Sequence, residues 1–317
     1  MNKNYEVIPY KSHKEWLELR RIGIGGSDVG SILHLHNYGS PTSCYFSKLE
    51  SRDDIGNEST RAGHLWEGII RQTFVDDHVL VIFTPAEIFK SKEHPFMIAS
   101  LDGYGIDKDG IEFVFEAKYT NSFELIKSLA TGNIPLHWEA QVQHYMAVTG
   151  FSYAIIAYQA GSDHHAEFRI ERDDDLIQDL IVEEERFWGY IENKTPPPED
   201  YSKDAQDALR EKFSEVIDDT ADLSFLEDVC QKLARNKEKR KTLKIEEDTY
   251  KTRLKQAMGN FKRAVAGNYK LTWSRYVSQS FDTKKFKKEN PDLVEAYTVE
   301  KPGEKFNITE IVKETEE

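Results

Sequence analysis

The 317-residue sequence predicts a mixed α/β core followed by a C-terminal appendage of helices and a β-hairpin. Segments with helical and with strand-like hydrophobic spacing alternate along the first 193 residues, as in a mixed central sheet flanked by helices. Three consecutive prolines at 196–198 then interrupt the chain. The sequence beyond them is rich in Lys, Glu, Ala and Leu, which favours solvated helices.

The first element is the segment RRIGIGGSDVGSIL at 20–33, which predicts a glycine-rich turn and a short helix. Gly25 and Gly26 directly precede Ser27, a residue type preferred at helix N-termini. A longer helix is predicted over 59–79. The apolar residues that follow helical spacing in it are Leu65, Trp66, Ile69, Ile70 and Phe74.

Two strands are predicted next. PFMIASLDG at 95–103 predicts a strand that stops at Asp102 and Gly103, and IEFVFEAKY at 111–119 follows a turn at 108–110. One face of the second strand carries Ile111, Phe113, Phe115 and Ala117. The opposite face carries Glu112, Val114, Glu116 and Lys118.

A helix, two strands and a further helix complete the predicted core. The helix covers 135–150 and stops at Gly150. Its apolar stripe consists of Trp138, Val142, Tyr145, Met146 and Thr149. The segments 153–159 and 165–171 predict strands joined by a loop, and 173–193 predicts a helix with acidic residues in its first turn.

We therefore predict a core over residues 1–195, a proline-rich linker over 196–202 and an appendage over 203–317. Within the appendage, 203–258 predicts one or two long helices. A hairpin is predicted around a turn at 266–268, and the acidic end at 313–317 is expected to fray.

Composition narrows the class of protein. No apolar run approaches the ~18 residues of a membrane span, and the N-terminus lacks an apolar signal core, so we expect a cytoplasmic protein. Cys44 and Cys230 cannot supply a four-thiolate metal site, and we expect no disulfide framework. The net charge of −14 does not exclude a polyanionic partner, because 232–244 is strongly basic and metal-binding carboxylates add negative charge.

Asp102 and Glu116 are the strongest candidates for a metal-binding catalytic site. Neighbouring strands lie ~5 Å apart, so the two carboxylates can meet, and Glu116 shares a strand face with Lys118. Two carboxylates at that spacing suit Mg²⁺ or Mn²⁺, and a lysine beside them can orient a metal-bound water. The alternative is an exposed Glu116–Lys118 ion pair, which the short E-x-K pattern by itself favours.

Further residues weaken that alternative. Phe115, Ala117 and Tyr119 make the strand apolar enough to be central, where an unpaired charge is costly. Glu67 lies at the flank of the apolar face of its helix, so it can reach the sheet edge as a third carboxylate.

The later helix offers two glutamines. Gln141 lies near its buried stripe, one turn before Tyr145, whereas Gln143 lies further round toward solvent. A glutamine at such an edge can simply bond a neighbouring backbone group. Beside carboxylates it can also hold a water or a metal ligand.

Five segments resemble, in order and spacing, the YqaJ-like phage recombination exonucleases. These are WLELRRIGIGGSDVGSIL, GHLWEGIIRQTF, HPFMIASLDG, EFVFEAKYT and PLHWEAQVQHYMAVTG, within a resemblance that covers about 14–192. That family belongs to the lambda-exonuclease branch of the restriction-endonuclease-like, or PD-(D/E)xK, nucleases. The resemblance implies a restriction-endonuclease-like core over 1–195 and a Mg²⁺-dependent 5′-to-3′ exonuclease of double-stranded DNA.

The resemblance also implies roles for individual residues. The implied ligands for one or two Mg²⁺ (or Mn²⁺) ions are Glu67, Asp102, Glu116 and the carbonyl of Ala117. Lys118 would orient the attacking water, and the family's glutamine falls at Gln141 or Gln143, with helix phase favouring Gln141. The family further implies 3′ tails handed to a RecT-like annealing partner, a ring (often a trimer) around DNA, and a phage or prophage gene expressed in a bacterial host.

The glycine-rich opening gains a role from the same resemblance. The family uses an arginine and a serine at this spacing to hold the 5′-phosphate of a DNA end, which implies Arg20 and Ser27 here. The absence of a GxxxxGK[ST] motif argues against nucleotide hydrolysis. The alternative for Ser27 is an ordinary helix N-cap.

Two other functions remain open. A structure-specific endonuclease or resolvase could use the same core, and it would cut covalently closed circular DNA. A non-catalytic DNA-end-binding recombination scaffold would not need Asp102, Glu116 and Lys118 together. The remaining candidates, assigned to loop or surface because they lack companions at ligand spacing, are His34, His36, His164 and His165.

Overall fold

The computed structural model describes residues 3–50, 58–78, 81–162, 164–299 and 303–309. The chain forms two compact units, Met1–Val216 and Ile217–Glu317. The helices of the first unit are α1 (His13–Leu19), α2 (Gly26–Ile32), α3 (Pro41–Leu49), α4 (Glu58–His78), α5 (Phe123–Leu129), α6 (Leu136–Thr149), α7 (Asp174–Asn193) and α8 (Lys203–Lys212). Its strands are β1 (Tyr5–Pro9), β2 (Ile82–Phe83), β3 (Glu87–Ser91), β4 (Ile98–Ala99), β5 (Gly103–Ile106), β6 (Glu112–Thr120), β7 (Tyr153–Ala160) and β8 (His164–Glu171).

The central sheet of the first unit has five strands in the order β2-β5-β6-β7-β8. The β6–β7 pair is parallel and its other pairs are antiparallel. A smaller antiparallel sheet has the order β1-β3-β4. The prediction of a mixed central sheet flanked by helices is confirmed.

Two helices cover the faces of the central strand β6. On one face, Val114 packs with Val142 and Tyr145 of α6. On the other, Phe115 packs with Ile70 and Phe74 of α4. A strand covered on both faces is apolar along most of its length. A charged side chain on such a strand is buried, so it needs a charged or hydrogen-bonding partner.

The helices predicted in the core, α2, α4, α6 and α7, lie close to their predicted positions. The C-cap of α6 is Gly150 with φ of 77°, a left-handed conformation that favours glycine. The N-cap of α7 is Asp173, whose side chain accepts hydrogen bonds from the backbone of Asp175 and Leu176.

The strand predicted over 95–103 is wrong, because this segment serves two sheets. Ile98 and Ala99 pair with β3 in the small sheet, whereas the strand of the central sheet begins at Gly103. A Cβ on Gly103 would lie 2.5 Å from Ile82 Cγ2, so the first position of β5 requires glycine. The crossing leaves Asp102 between the two sheets.

The division between the units lies downstream of the linker predicted at 196–202. The helix α8 follows that segment and packs on α3, with Ala205 and Ala208 buried. Ser40 Oγ lies 2.7 Å from Asp204 Oδ2, which ties α8 to the N-cap of α3. The prolines therefore turn the chain within the first unit.

The second unit contains α9 (Glu227–Met258), the hairpin strands β9 (Arg263–Ala266) and β10 (Tyr269–Thr272), α10 (Thr283–Glu289) and α11 (Pro291–Tyr297). The hairpin turns at Gly267, with φ of 57°, as the sequence predicts. The acidic end at 313–317 lies outside the described residues. Across the described ranges, none of the helices combines the length and the apolar character needed to cross a membrane.

Candidate active site

The pairing of β5 with β6 brings Asp102 beside Glu116. Gly103 pairs with Phe115 in this antiparallel ladder. Asp102, which precedes Gly103, therefore faces Glu116, which follows Phe115. The N–H of Ala117 donates to Asp102 Oδ2 over 2.9 Å. This bond fixes the Asp102 carboxylate, and the Ala117 peptide, next to Glu116.

Lys118 and Gln141 complete a hydrogen-bonded cluster around Glu116. Lys118 Nζ lies 2.8 Å from Glu116 Oε1 and donates to Gln141 Oε1 over 2.7 Å. Gln141 Nε2 donates to Glu116 Oε1 over 2.7 Å and lies 3.0 Å from the hydroxyl of Tyr145. One amide therefore sets the positions of the lysine and the carboxylate.

Gln143 lies outside this cluster, on a different side of α6. It is buried, so its predicted position toward solvent is wrong. Its Nε2 donates to the carbonyl of Glu171 and its Oε1 accepts from the N–H of Asp173. These bonds satisfy backbone polar groups where β8 ends and α7 begins. This is a structural role that local periodicity does not reveal.

Glu67 reaches the sheet edge from α4 but is held by a cation. Arg71 Nη1 lies 3.1 Å from Glu67 Oε1 and also donates to the carbonyl of Asp102 over 3.3 Å. Arg71 is not among the predicted site residues, although the i, i+4 spacing of Glu67 and Arg71 on a helix is a recognisable signal.

The electrostatics of the cluster favour an added cation. Burial, and then the charges of Glu116 and Glu67, raise the pKa of Asp102 well above its ordinary value. Burial likewise raises the pKa of Glu116, although Lys118 opposes it. Burial alone would lower the pKa of Lys118, but the charges of Glu116 and Asp102 outweigh it and raise that pKa. Ionising both carboxylates together is therefore costly without a compensating charge.

The residues present fit a divalent cation at Asp102 and Glu116. Glu116 Oε2 is buried without a hydrogen-bond partner, beside the fixed Asp102 carboxylate. Hard oxygen ligands of this kind suit Mg²⁺ and Mn²⁺. Among the described residues, no three His, Cys, Asp or Glu side chains are already arranged as a metal site, and Glu67 is paired with Arg71.

Arg20 and Ser27 form a second polar cluster at the start of α2. Arg20 Nη2 donates to Ser27 Oγ over 2.7 Å, and its guanidinium lies 4.8 Å from the ring centre of Trp16. The N-cap of α2 is Gly25, whose N–H donates to Asp28 Oδ2 over 2.8 Å. The alternative of Ser27 as an ordinary N-cap is therefore wrong, and its hydroxyl faces Arg20 instead.

A buried lysine supports this second cluster and was missed in the sequence. Lys48 Nζ lies 2.5 Å from Asp28 Oδ2 and donates to the carbonyl of Arg20 over 2.8 Å. Burial would raise the pKa of Asp28, but Lys48 and Arg20 lower it overall. Asp28 is therefore ionised between two cations, Lys48 and Arg20, whose Nη2 lies 3.9 Å from Asp28 Oδ1, and the cluster keeps an excess positive charge.

The two clusters are joined through short structural connections. Trp16, under Arg20, donates from Nε1 to Ser100 Oγ over 2.9 Å, two residues before Asp102. On the other side, Gly26 packs so closely on α6 that an added Cβ would lie 2.5 Å from Tyr145 Cε1 and 2.9 Å from the carbonyl oxygen of Gln141. Gly26, directly ahead of Ser27, thus sets the distance between Ser27 and Gln141.

The candidate histidines have other surroundings. His34 is exposed in the turn after α2, with φ of 52°. His36 is half-buried and stacks on Tyr38. His164 and His165 are exposed, as expected, and lie at the start of β8.

Comparisons with known proteins add a family relationship. Residues 15–152 match the family model described as the YqaJ-like viral recombinase domain. The chain is 30% identical over 316 residues to "Uncharacterized protein YqaJ" of Bacillus subtilis (strain 168), covering 98% of this chain and 97% of the relative.

Solved structures with some similarity include two exonucleases. One is an alkaline exonuclease, LHK-Exo, from Laribacter hongkongensis, with 20% identity, a TM-score of 0.49 and coverage of 63% of this chain and 98% of the other. Another is a phage related exonuclease from Haemophilus somnus 129PT, with 13% identity, a TM-score of 0.38 and coverage of 56% and 99%.

Proposed function

This chain belongs to the YqaJ-like viral recombinase family, and from that premise we propose that it is a metal-dependent 5′-to-3′ exonuclease of linear double-stranded DNA. The observation that carries the proposal is the cluster in which Asp102, Glu116 and Lys118 meet on a buried strand. A binding module has no need of a buried carboxylate pair with an attached lysine, since that arrangement costs stability.

Asp102 and Glu116 would hold one or two Mg²⁺ ions, for which Mn²⁺ could substitute, together with the Ala117 carbonyl and Glu67. Support comes from the unpartnered Oε2 of Glu116 and from the mutual repulsion of the carboxylates. When bound, the metal would activate water and stabilise the leaving 3′-oxygen. Engaging Glu67 requires it to exchange Arg71 for the metal.

Lys118 would position the attacking water. Its ammonium group has three hydrogens to donate, and two of them face Glu116 and Gln141. The third hydrogen would donate to a water or a phosphate oxygen. Gln141 would hold the lysine and the carboxylate in register, so it acts as a positioning residue.

Arg20 and Ser27 would grip the terminal 5′-phosphate and so fix the register of cutting. The guanidinium keeps further N–H donors beyond the one given to Ser27, and such donors form strong paired bonds with phosphate oxygens. Arg20 and Lys48 together outnumber the single carboxylate of Asp28, so the cluster would keep a positive charge for the anion.

The decisive experiment is digestion of linear duplex DNA, 5′-phosphorylated or 5′-hydroxylated, with Mg²⁺. We expect the wild type to degrade phosphorylated ends rapidly from the 5′ side and hydroxylated ends more slowly. Lys118→Ala should abolish digestion, whereas Lys127→Ala, which removes an exposed lysine of α5, should not. Ser27→Ala should reduce the difference between the two ends.

Each contrary result has a distinct meaning. Equal digestion of both ends by the wild type would retain the nuclease and refute the phosphate grip. Cleavage of covalently closed circles would indicate a structure-specific endonuclease or resolvase. No digestion with Mg²⁺, nor with Mn²⁺ in its place, would indicate a DNA-end-binding scaffold.

The product would be duplex DNA with 3′ single-stranded tails, which is the substrate of a strand-annealing protein. We therefore propose a RecT-type annealing protein as partner, in the cytoplasm of a bacterial host carrying the phage or prophage gene. Pull-down of such a protein on resected DNA tests this pairing. A ring, with a trimer expected, is tested by the mass of the particle in solution.

A further inference from the structure

The loop after α2 carries a stack of aromatic rings that the proposed hydrolysis does not use. Tyr38 lies on His36, with ring centres 3.8 Å apart and planes 5° apart. His137, from the first turn of α6, meets His36 and Tyr38 edge-on at 5.2 and 5.8 Å. Tyr38 is nevertheless 67% exposed, so the stack presents an open aromatic surface.

The backbone holds this stack in place. Leu35 N–H donates to the carbonyl of Gly30 over 2.9 Å, and His34 adopts a left-handed conformation, which reverses the chain directly after α2. A Cβ on Gly30 would lie 2.7 Å from His36 Nε2, and one on Gly39 would lie 2.8 Å from His36 Cε1. His36 is thus wedged between two glycines, and its ring has one position.

The stack lies next to the candidate active site. His137 precedes Gln141 by one turn of α6, about 6 Å along the helix axis, and Gln141 bonds both Lys118 and Glu116. A Cβ on Gly30 would also lie 3.1 Å from His137 Cβ. The same helix α2 therefore contacts the aromatic stack through Gly30 and carries Ser27 one turn earlier.

The two histidines are neutral at neutral pH. Burial, followed by the charges of His36 and Lys118, lowers the pKa of His137 to about 4. Burial also lowers the pKa of His36. His36 Nδ1 is buried without a hydrogen-bond partner among the described residues, so the ring is held by its contacts. An uncharged stack of rings offers a π surface on which another ring can stack.

We propose that Tyr38, supported by His36 and His137, is a stacking platform for one nucleobase near the 5′ end of the DNA strand being degraded. The inference rests on the proposed function and adds a base subsite to it. Every base has a π face, so such a platform positions the strand without reading its sequence. A base held here would fix the nucleotide whose phosphate lies at Asp102, Glu116 and Lys118.

The test measures binding of duplex ends in EDTA, so that no cleavage occurs. The 5′-phosphorylated probes carry either an intact strand or a single abasic nucleotide at one of the first three positions. We expect the wild type to lose about 5- to 150-fold in affinity when one particular base is missing. Tyr38→Phe should behave like the wild type.

Tyr38→Ala should bind the intact probe about 5- to 150-fold more weakly and should be indifferent to that missing base. Tyr201→Ala, which removes a tyrosine that is 94% exposed, should match the wild type. Unchanged melting temperatures would show that the variants are folded.

The platform is refuted if Tyr38→Ala binds like the wild type, or if it weakens intact and abasic probes equally. A failure of the proposed function looks different. The wild type would then fail to digest linear duplex with Mg²⁺, whereas failure of the platform alone leaves wild-type digestion intact and Tyr38→Ala as active as Tyr38→Phe.

Discussion

Gly26→Ala is expected to destabilise the first unit and to separate the two polar clusters. The added methyl group would lie 2.5 Å from Tyr145 Cε1 and 2.9 Å from the carbonyl oxygen of Gln141. Tyr145 is buried and bonded to Gln141, and the carbonyl belongs to helix backbone, so α2 itself has to move. Overpacking of this kind costs about 1–3 kcal/mol.

A matched control separates this clash from helix propensity. Gly189 lies inside α7 with no atom within 4 Å of an added Cβ, so Gly189→Ala should stabilise by about 0.5–1 kcal/mol. Urea unfolding followed by tryptophan fluorescence reports mainly on the first unit, which holds Trp16, Trp66, Trp138 and Trp188. The two midpoints should therefore move in opposite directions.

The same pair of variants tests the connection to activity. Displacement of α2 moves Ser27 relative to Gln141, and a misplacement of ~1 Å can cost up to about 100-fold in rate. Gly26→Ala should lower kcat/KM on 5′-phosphorylated duplex accordingly, while Gly189→Ala should not. A Gly26→Ala protein as stable and as active as the wild type would refute the close packing of α2 on α6.

Three other predictions concern the glutamines, a buried ion pair and the metal. Gln141→Leu should remove most DNA digestion, whereas Gln143→Leu should lower the free energy of unfolding by about 1–3 kcal/mol and leave the digestion rate of the folded protein unchanged. His144 Nδ1 lies 2.8 Å from Glu184 Oε1, and both side chains are fully buried. Burial would lower the pKa of His144, but the charge of Glu184 outweighs it and raises that pKa. The stability from this pair is therefore complete below the ordinary histidine pKa of about 6.5 and is lost as pH rises through the raised value. The urea midpoint should fall across that range in the wild type and much less in Glu184→Gln. Finally, Mg²⁺ or Mn²⁺ should raise the melting temperature of the wild type, and an unchanged melting temperature would contradict the metal site.

The central part of the site could be predicted because it follows from local patterns. Alternation along β6 places Glu116 and Lys118 on one face, and helix phase separates Gln141 from Gln143. The antiparallel pairing that follows a tight turn then brings Asp102 to Glu116. Each of these steps depends on neighbours within a strand, a helix or a hairpin.

Other features depend on contacts between distant segments. Lys48 meets Asp28 from α3, and Gln143 meets the end of β8, and no periodicity encodes either partner. The sequence pattern of 95–103 predicts a single strand. Part of this segment belongs to each of two sheets, and both parts contain buried residues. Only the strand partners show the division, because Ile98 pairs with β3 and Gly103 pairs with β6.

The glycines of α2 show how one stretch of sequence can serve both packing and chemistry. A phosphate cradle requires glycine where backbone approaches an anion, but Gly26 and Gly30 face α6 and the aromatic stack instead. Their absent side chains bring α2 against α6, so that Ser27 and Gln141 share one rigid frame. Trp16 links the opposite end of that frame to Ser100, beside Asp102. The distance between the Arg20–Ser27 cluster and the cluster of Asp102, Glu116 and Lys118 is therefore set by the packing of α2 on α6 and by the Trp16–Ser100 bond.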